Sequence, residues 1–259
     1  MKRVIIIPAR LNSSRLPSKV LLDLKGKTVL QRVFEQCIKV ENVITYIATD
    51  SKLIREKCLA FTQNILMTKP THNSGTERVI EAVLNLDCDI VVNVQGDEPF
   101  INPKLIENLF QSIENKKVLM SSVMERITEK EDLINSNSVK VVTDKNQNAL
   151  YFSRSVIPFV RDGIESVFDD NGKIFDSYNF YRHVGVYAYK RIFLLEYSRL
   201  TESSLENIEK LEQLRVLDNG IKIKMIETNY KSLGIDTIDD YNKALNLIDN
   251  DFSNNKTFL

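Results

Sequence analysis

Residues 3–19 read Arg3-Val4-Ile5-Ile6-Ile7-Pro8-Ala9-Arg10-Leu11-Asn12-Ser13-Ser14-Arg15-Leu16-Pro17-Ser18-Lys19, an apolar run that turns abruptly into a polar, cationic loop. Val4 to Ile7 are all β-branched and leave neither face of an extended segment polar. Residues 3–8 therefore predict a strand buried on both sides, as in a parallel sheet covered by helices. The loop behind it offers backbone N–H groups, hydroxyls and the cations Arg10, Arg15 and Lys19. It lies at the strand's carboxyl end, where such sheets bind ligands. An anion is the natural occupant, and nucleotide phosphate suits it. A solvated loop with scattered charge is the plainer alternative.

Outward from that stretch the same alternation continues. Strands are expected at 42–50, 65–68 and 89–95, the last ending in the turn Gly96-Asp97-Glu98-Pro99. Helices are expected from Thr28, over 51–60, after Thr76 (where Val79, Ile80, Val83 and Leu84 form one stripe) and from Pro103. Farther on, strands at 118–125, 138–143, 184–189 and 221–226 mix with helices near 203–219 and 237–249, and 160–180 reads as an irregular excursion. The predicted fold is α/β, a mostly parallel mixed sheet flanked by helices. Three loops, 8–19, 68–76 and 95–99, fall at its ligand edge. Without a linker, repeat or low-complexity tract, one domain is expected over 1–250, with an excursion around 150–220 and a polar tail at 251–259.

Composition removes several function classes. Lys plus Arg and Asp plus Glu are 35 each, so no basic excess exists to bind nucleic acid. The first apolar run is too short for a secretory or membrane-inserting segment, so a soluble, cytoplasmic protein is expected. The 8 glycines are never closer than nine positions apart, which excludes both a dinucleotide fingerprint and a Walker loop. Cys37, Cys58 and Cys88 form no CxxC pair, and His72 and His183 are the only histidines. A catalytic metal would then be a hard ion held by carboxylates and phosphates.

Asp97 is a candidate ligand for Mg²⁺, with an ordinary Gly-Asp turn as the competing reading. Asp236 is a second, although Thr237-x-x-Asp240 beside it reads as a capping box. On a continuous helix over 203–219, Glu212 would share a face with Leu205, Ile208 and Val216, an expensive place for a carboxylate unless it meets a ligand or a cation such as Lys210 or Arg215. Glu209 and Gln213 flank it and would extend a polar wall. His183 is as well suited to a satisfied core position as to ligand contact. Arg154, after the strand 149–152, could grip a carboxylate or lie on the surface. The run His72 to Arg78 suits either a helix start or a nucleoside.

Taken together, IIIPARLNSSRLPSK, ATD, HNSGTER, VNVQGDEP, ALYFSRSVIPF, RHVGVYAY, LENIEKLEQLRVL and GIDT resemble, in order and over residues 5 to about 237, the 3-deoxy-manno-octulosonate (Kdo) cytidylyltransferases that make CMP-Kdo for lipopolysaccharide biosynthesis. The resemblance implies a nucleotide-diphospho-sugar-transferase-like fold, a nucleotidyltransferase using CTP and Kdo, Mg²⁺ as cofactor, and a homodimer with the 150–220 excursion serving sugar binding and dimerisation. By the same resemblance Arg10, Arg15 and Lys19 would bind the triphosphate, while Ala9, Ser74, Gly75 and Arg78 hold the cytidine. Asp97 and Asp236 would hold Mg²⁺, and these five charged groups would be the catalytic set. Gln95, Arg154, His183, Tyr187, Glu212 and Gln213 would line the sugar-acid pocket, with Arg154 on the carboxylate. Three places depart from the family pattern: Ser18 replaces a glycine, Phe159 a tryptophan, and Lys231-Ser232-Leu233 a glycine- and proline-rich lead-in. An 8-amino Kdo or a sialic-acid-like nonulosonate is the alternative substrate. Of other classes, a glycosyltransferase would want an Asp-x-Asp motif after a strand. Asp87-Cys88-Asp89 precedes one, and Asp249-Asn250-Asp251 opens the tail. A silent nucleotide-binding regulator would have no use for the whole charged set.

Overall fold

The run quoted above forms β1 (Arg3–Ala9), in which Ile5, Ile6 and Ile7 are completely buried. The computed structural model describes residues 1–11, 15–72, 74–161 and 174–254. Contacts divide the chain into two units, Met1–Phe110 with Ser232–Leu259, and Gln111–Lys231.

In the first unit β2 (Ile44–Thr49), β3 (Ile65–Met67) and β4 (Ile90–Asn93) join β1 in the order β3-β2-β1-β4, every pairing parallel. The helices α1 (Val29–Cys37), α2 (Lys52–Cys58) and α3 (Gly75–Val83) follow successive strands, and α4 (Pro103–Glu114) follows β4. Each of the first three starts on a hydroxyl residue that satisfies an orphan backbone donor: Thr28, Ser51 and Ser74 accept from the N–H groups of Gln31, Ile54 and Glu77. These strands and helices lie within a few residues of their expected places.

In the second unit β5 (Met120–Ile127) pairs antiparallel with β8 (Phe180–Lys190) and parallel with β9 (Ile223–Thr228). Between them in sequence, β6 (Lys140–Thr143) pairs antiparallel with both β7 (Ala149–Ser153) and β8. The pairing of β5 with β8 slips: Ser122 lies opposite Tyr187, but the next residue, Val123, lies opposite Val184. The extra residues bulge out on β8, around Gly185. The helices here are short: α5 (Lys130–Ile134), α6 (Ile174–Ser177), α7 (Arg191–Glu196), α8 (Ser204–Glu209) and α9 (Gln213–Asp218). The α/β architecture of strands flanked by helices is therefore the one expected.

Three expectations are corrected. The helix read over 203–219 is two helices, because Lys210 adopts a left-handed backbone (φ 54°) that ends α8 before α9 begins. The shared face drawn from Leu205 through Ile208 to Glu212 does not exist, and Ile208 is 77% exposed. Of the excursion at 160–180, residues 162–173 lie outside the described residues, while 174–177 are helical and 180 opens β8. The last helix, α10 (Ile238–Asn254), runs four residues into the segment expected as tail; 255–259 lie outside the described residues.

Candidate active site

Three loops at the carboxyl ends of β1, β3 and β4 build one pocket in the first unit, together with the segment before α10. Ala9, Arg10, Arg15 and Lys19 come from the first loop, Gly75 and Arg78 from the start of α3, Gln95 and Asp97 from the third loop, and Asp236 from the last segment. The structure thus brings together every charged residue named above as catalytic. It also sets Gln95, assigned by resemblance to the sugar-acid pocket, beside the arginines.

The centre of the pocket is the Lys19 ammonium. It pairs with Asp97 Oδ2 and, at 2.6 Å, with Asp236 Oδ1. Arg15 reaches the other oxygen of Asp236 at 3.0 Å. Burial alone pulls Lys19 down, but Asp97 and Asp236 outweigh it and hold the ammonium above its ordinary range. Backbone geometry makes this convergence possible. The N–H of Ile235 donates to the carbonyl of Asp97 at 2.9 Å, tying the two carboxylate loops together. Gly234 faces the Glu98 carboxylate so closely that a β-carbon there would stand 2.9 Å from Oε1. At Gly96 a β-carbon would come 3.0 Å from the Pro8 carbonyl, which packs the third loop against the first.

The rival reading of Asp236 as a helix cap is resolved by its neighbours. Thr237 N–H donates to Asp240 Oδ2 at 2.9 Å and Asp240 N–H returns to Thr237 Oγ1 at 3.2 Å, a complete capping box. The cap leaves the Asp236 carboxylate to Arg15 and Lys19. Two carboxylates from separate loops that already share one cation form a hard-oxygen donor pair suited to Mg²⁺, which takes its other ligands from water and phosphate. Among the described residues no three His, Cys, Asp or Glu side chains cluster as a self-contained protein cage.

Arg78 is nearly fully buried, its guanidinium held by Thr68 Oγ1 and by Asp50 Oδ2 at 3.4 Å. Ser74 serves as the α3 cap, its Oγ accepting from Glu77 N–H at 3.1 Å. Neither Asp50 nor Thr68 was singled out from the sequence, although Asp50 ends the ATD stretch. A third unforeseen pairing ties the second loop to α3: His72 Nε2 meets Glu81 Oε2, and the same oxygen accepts from Lys69 N–H at 2.9 Å. The bond to His72 and the backbone hold the Glu81 carboxyl below its usual range, although burial opposes them.

The second unit gathers the remaining candidates. His183 on β8 bonds through Nε2 to Ser122 Oγ at 2.8 Å, and its Nδ1 faces Gln213 Nε2 at 3.4 Å. Tyr187 O–H donates to Gln213 Oε1 at 3.4 Å. Phe152 meets the imidazole edge-on, centroids 4.9 Å apart. Burial pushes His183 down to about 3 and Tyr187 well above its ordinary range. Glu212 is half-buried at the break before α9, where its carbonyl accepts from Tyr197 O–H at 3.0 Å. Arg154 donates to the carbonyls of Glu209 (2.8 Å) and Ser136 (3.0 Å), while the Glu209 carboxylate accepts from Ser153 Oγ and Arg154 N–H. Glu209 anchors the Ser-Arg segment. Lys140, completely buried, donates to the carbonyls of Asn135 and Ser138, and burial with nearby Arg154 lowers its pKa.

A family model described as cytidylyltransferase matches residues 4–223. The 3-deoxy-manno-octulosonate cytidylyltransferase of Francisella philomiragia is 48% identical over 251 residues, covering 95% of this chain and 98% of its own. That of Trichlorobacter lovleyi is 44% identical over 249 residues, covering 94% and 97%. A solved structure of CMP:2-keto-3-deoxy-manno-octonic acid synthetase complexed with CTP superposes with a TM-score of 0.87 at 37% identity, covering 97% of this chain and all of that one.

Proposed function

The chain belongs to the cytidylyltransferases, among the 3-deoxy-manno-octulosonate cytidylyltransferases, and from that membership we propose that it joins CMP from CTP to Kdo and releases diphosphate. The observation that carries the reading is the Lys19 ammonium shared by Asp97 and Asp236 beside Arg10 and Arg15. A polyanion enters such a site by competing for the cations, and a divalent ion by competing for the carboxylates.

In the reaction the anomeric hydroxyl of Kdo attacks the α-phosphorus of CTP. The new P–O bond forms as the bond to the β-phosphate breaks, and diphosphate leaves with the electron pair. Arg10, Arg15 and Lys19 bind the triphosphate and neutralise the charge that develops on the leaving group. Asp97 and Asp236 would hold Mg²⁺, which when bound supplies further neutralisation at the phosphates. Gly75 and Arg78 would receive the cytidine, and the group around His183, Tyr187, Glu212 and Gln213 the sugar hydroxyls, with Arg154 on the carboxylate. Burial disfavours the charged form of His183, so on this reading it has no role as base and the hydroxyl's proton passes to solvent. Catalysis is then mostly positioning and charge balance.

The same proposal includes a cytoplasmic homodimer supplying lipopolysaccharide assembly. Cys37, Cys58 and Cys88 are buried free thiols, which suits a reducing compartment. Among the described residues no helix is long and apolar enough to cross a membrane. Light scattering on the eluted protein tests the dimer. The reaction is tested by diphosphate release with CTP, Mg²⁺ and Kdo, beside UTP, 8-amino Kdo, sialic acid and an Asp97→Ala control. Release with CTP and Kdo, lost in Asp97→Ala, is expected. Release only with another sugar acid would overturn the substrate, and release from the Asp97→Ala enzyme would overturn the metal site.

A further inference from the structure

Ser122 has one proton and three polar neighbours. Its Oγ lies 2.8 Å from the carbonyl of Val186, 3.4 Å from that of Val184 and 2.8 Å from His183 Nε2. A carbonyl oxygen can only accept, so the hydroxyl spends its proton on backbone and meets His183 with a lone pair. Nε2 must then carry a hydrogen, which leaves Nδ1 bare on a neutral ring. The remaining bonds follow in the same direction: Gln213 Nε2 donates to Nδ1, and Tyr187 O–H donates to Gln213 Oε1. The slip between Ser122 and Val123 makes this possible, because it turns two β8 carbonyls, either side of Gly185, toward one hydroxyl.

We propose that Ser122 is a positioning residue that sets the tautomer of His183 and, through it, the donor and acceptor pattern of the sugar-acid pocket. The hydrogen-bond chain runs one way, from Tyr187 through Gln213 and His183 to Ser122 and the Val186 carbonyl. Tyr187 has spent its only proton, so its oxygen meets a ligand purely as an acceptor, and Gln213 keeps one N–H to offer. The pocket therefore reads a hydroxyl donor at Tyr187, and a ligand bearing only an acceptor there is disfavoured, because it sets two acceptors against each other at a half-buried position. Burial of His183, which keeps the ring neutral, is consistent with this pattern. The proposal rests on the reading of this group as the sugar-acid pocket, but the tautomer itself does not.

Nitrogen-15 NMR of the histidine rings in the full-length protein tests the two parts separately. The chain has two histidines, so the His72 signals are identified by their absence from His72→Gln. The expected His183 pattern is a protonated-type Nε2 and a bare Nδ1, unchanged between pH 8 and 5. Ser122→Ala should shift it toward the other tautomer and raise KM for Kdo about ten-fold, with KM for CTP unchanged. Ser122→Thr, which keeps the hydroxyl, should restore both. A bare Nε2 in the native protein, or an unaltered His183 pattern in Ser122→Ala, overturns the proposal. A shifted tautomer with KM for Kdo unmoved upholds Ser122 as the tautomer's setter but overturns the pocket reading.

Discussion

The two groups of polar residues solve opposite problems by opposite means. Around Lys19 charges are paired with charges, at partly exposed positions, and under the proposed function the pairs would be exchangeable, the ammonium for a metal and the carboxylates for phosphates. Around His183 the groups are neutral, Ser122 and Gln213 buried and His183 and Tyr187 half-buried, and each bond depends on which partner owns the proton. The first arrangement depends on total charge and tolerates rearrangement. The second depends on the direction of individual hydrogen bonds and tolerates none, because a buried unmade bond costs about 1–3 kcal/mol.

The largest test of that contrast is Asp97→Ala. Removing one of two carboxylates should lower kcat/KM by roughly 10³-fold, at the level of losing a principal charge-stabilising group. The fold should survive, because Lys19 keeps Asp236. A circular dichroism melt unchanged within a few degrees, alongside the rate loss, is the expected pair of results; a collapsed melt would make Asp97 structural.

Lys19→Met comes next. The rate with CTP should fall about 100-fold. Without the ammonium, Asp97 and Asp236 face each other, and stability in metal-free buffer should drop by about 1–3 kcal/mol, a range discounted for the half-exposed Asp236. Millimolar Mg²⁺ should return most of that loss to the variant while barely moving the native protein. Urea titrations with and without Mg²⁺ read both effects. Equal Mg²⁺ responses in the two proteins would mean that the carboxylates do not share a cation site.

The neutral cluster predicts its own pH signature. The folded-state value for His183, about 3, lies below the ordinary 6.5, so below pH 6.5 the unfolded chain binds a proton that the folded chain refuses. Stability from this group is complete above 6.5 and is lost as pH falls toward 3, at about 1.4 kcal/mol per pH unit. Between pH 7.5 and 5.5 the native protein should lose roughly 1.4 kcal/mol more than His183→Gln in denaturant titrations. Parallel losses would mean that the imidazole takes up its proton without unfolding.

The charged pocket was the more legible of the two in the sequence, for a physical reason. Arg10 follows β1 directly, Arg15 and Lys19 lie farther along the same loop and Asp97 lies in the loop after β4, and a parallel sheet presents the ends of its strands together. The capping box beside Asp236 was equally readable, being local. The neutral cluster was not. His183, Tyr187 and Gln213 could be named by resemblance, but Ser122 could not, because it depends on a slip in strand pairing that leaves no trace in the alternation of MSSVMERI. The break at Lys210 was hidden similarly: lysine has no preference for a left-handed backbone, so LENIEKLEQLRVL reads as one helix.

One departure from the family pattern now has a structural meaning, and it yields the smallest test. Ser18 sits in the left-handed region (φ 54°, ψ 26°) immediately before Lys19, where the resemblance expects glycine. A side chain there costs about 1–2 kcal/mol, of which glycine would recover part, since its own unfolded chain is more disordered. Ser18 N–H also donates to the Leu11 carbonyl at 3.1 Å, a backbone bond that glycine keeps. Ser18→Gly should therefore raise stability by about 0.5 kcal/mol, while Ser18→Val, with a branched side chain forced into the same backbone, should lower it by more than 1 kcal/mol. Thermal melts of the pair measure the sign. The Lys19 pairs themselves do not involve the Ser18 side chain, so KM for CTP should move less than two-fold in Ser18→Gly. A larger change would show that the strained turn, and not only the charges it carries, sets how the pocket meets its anion.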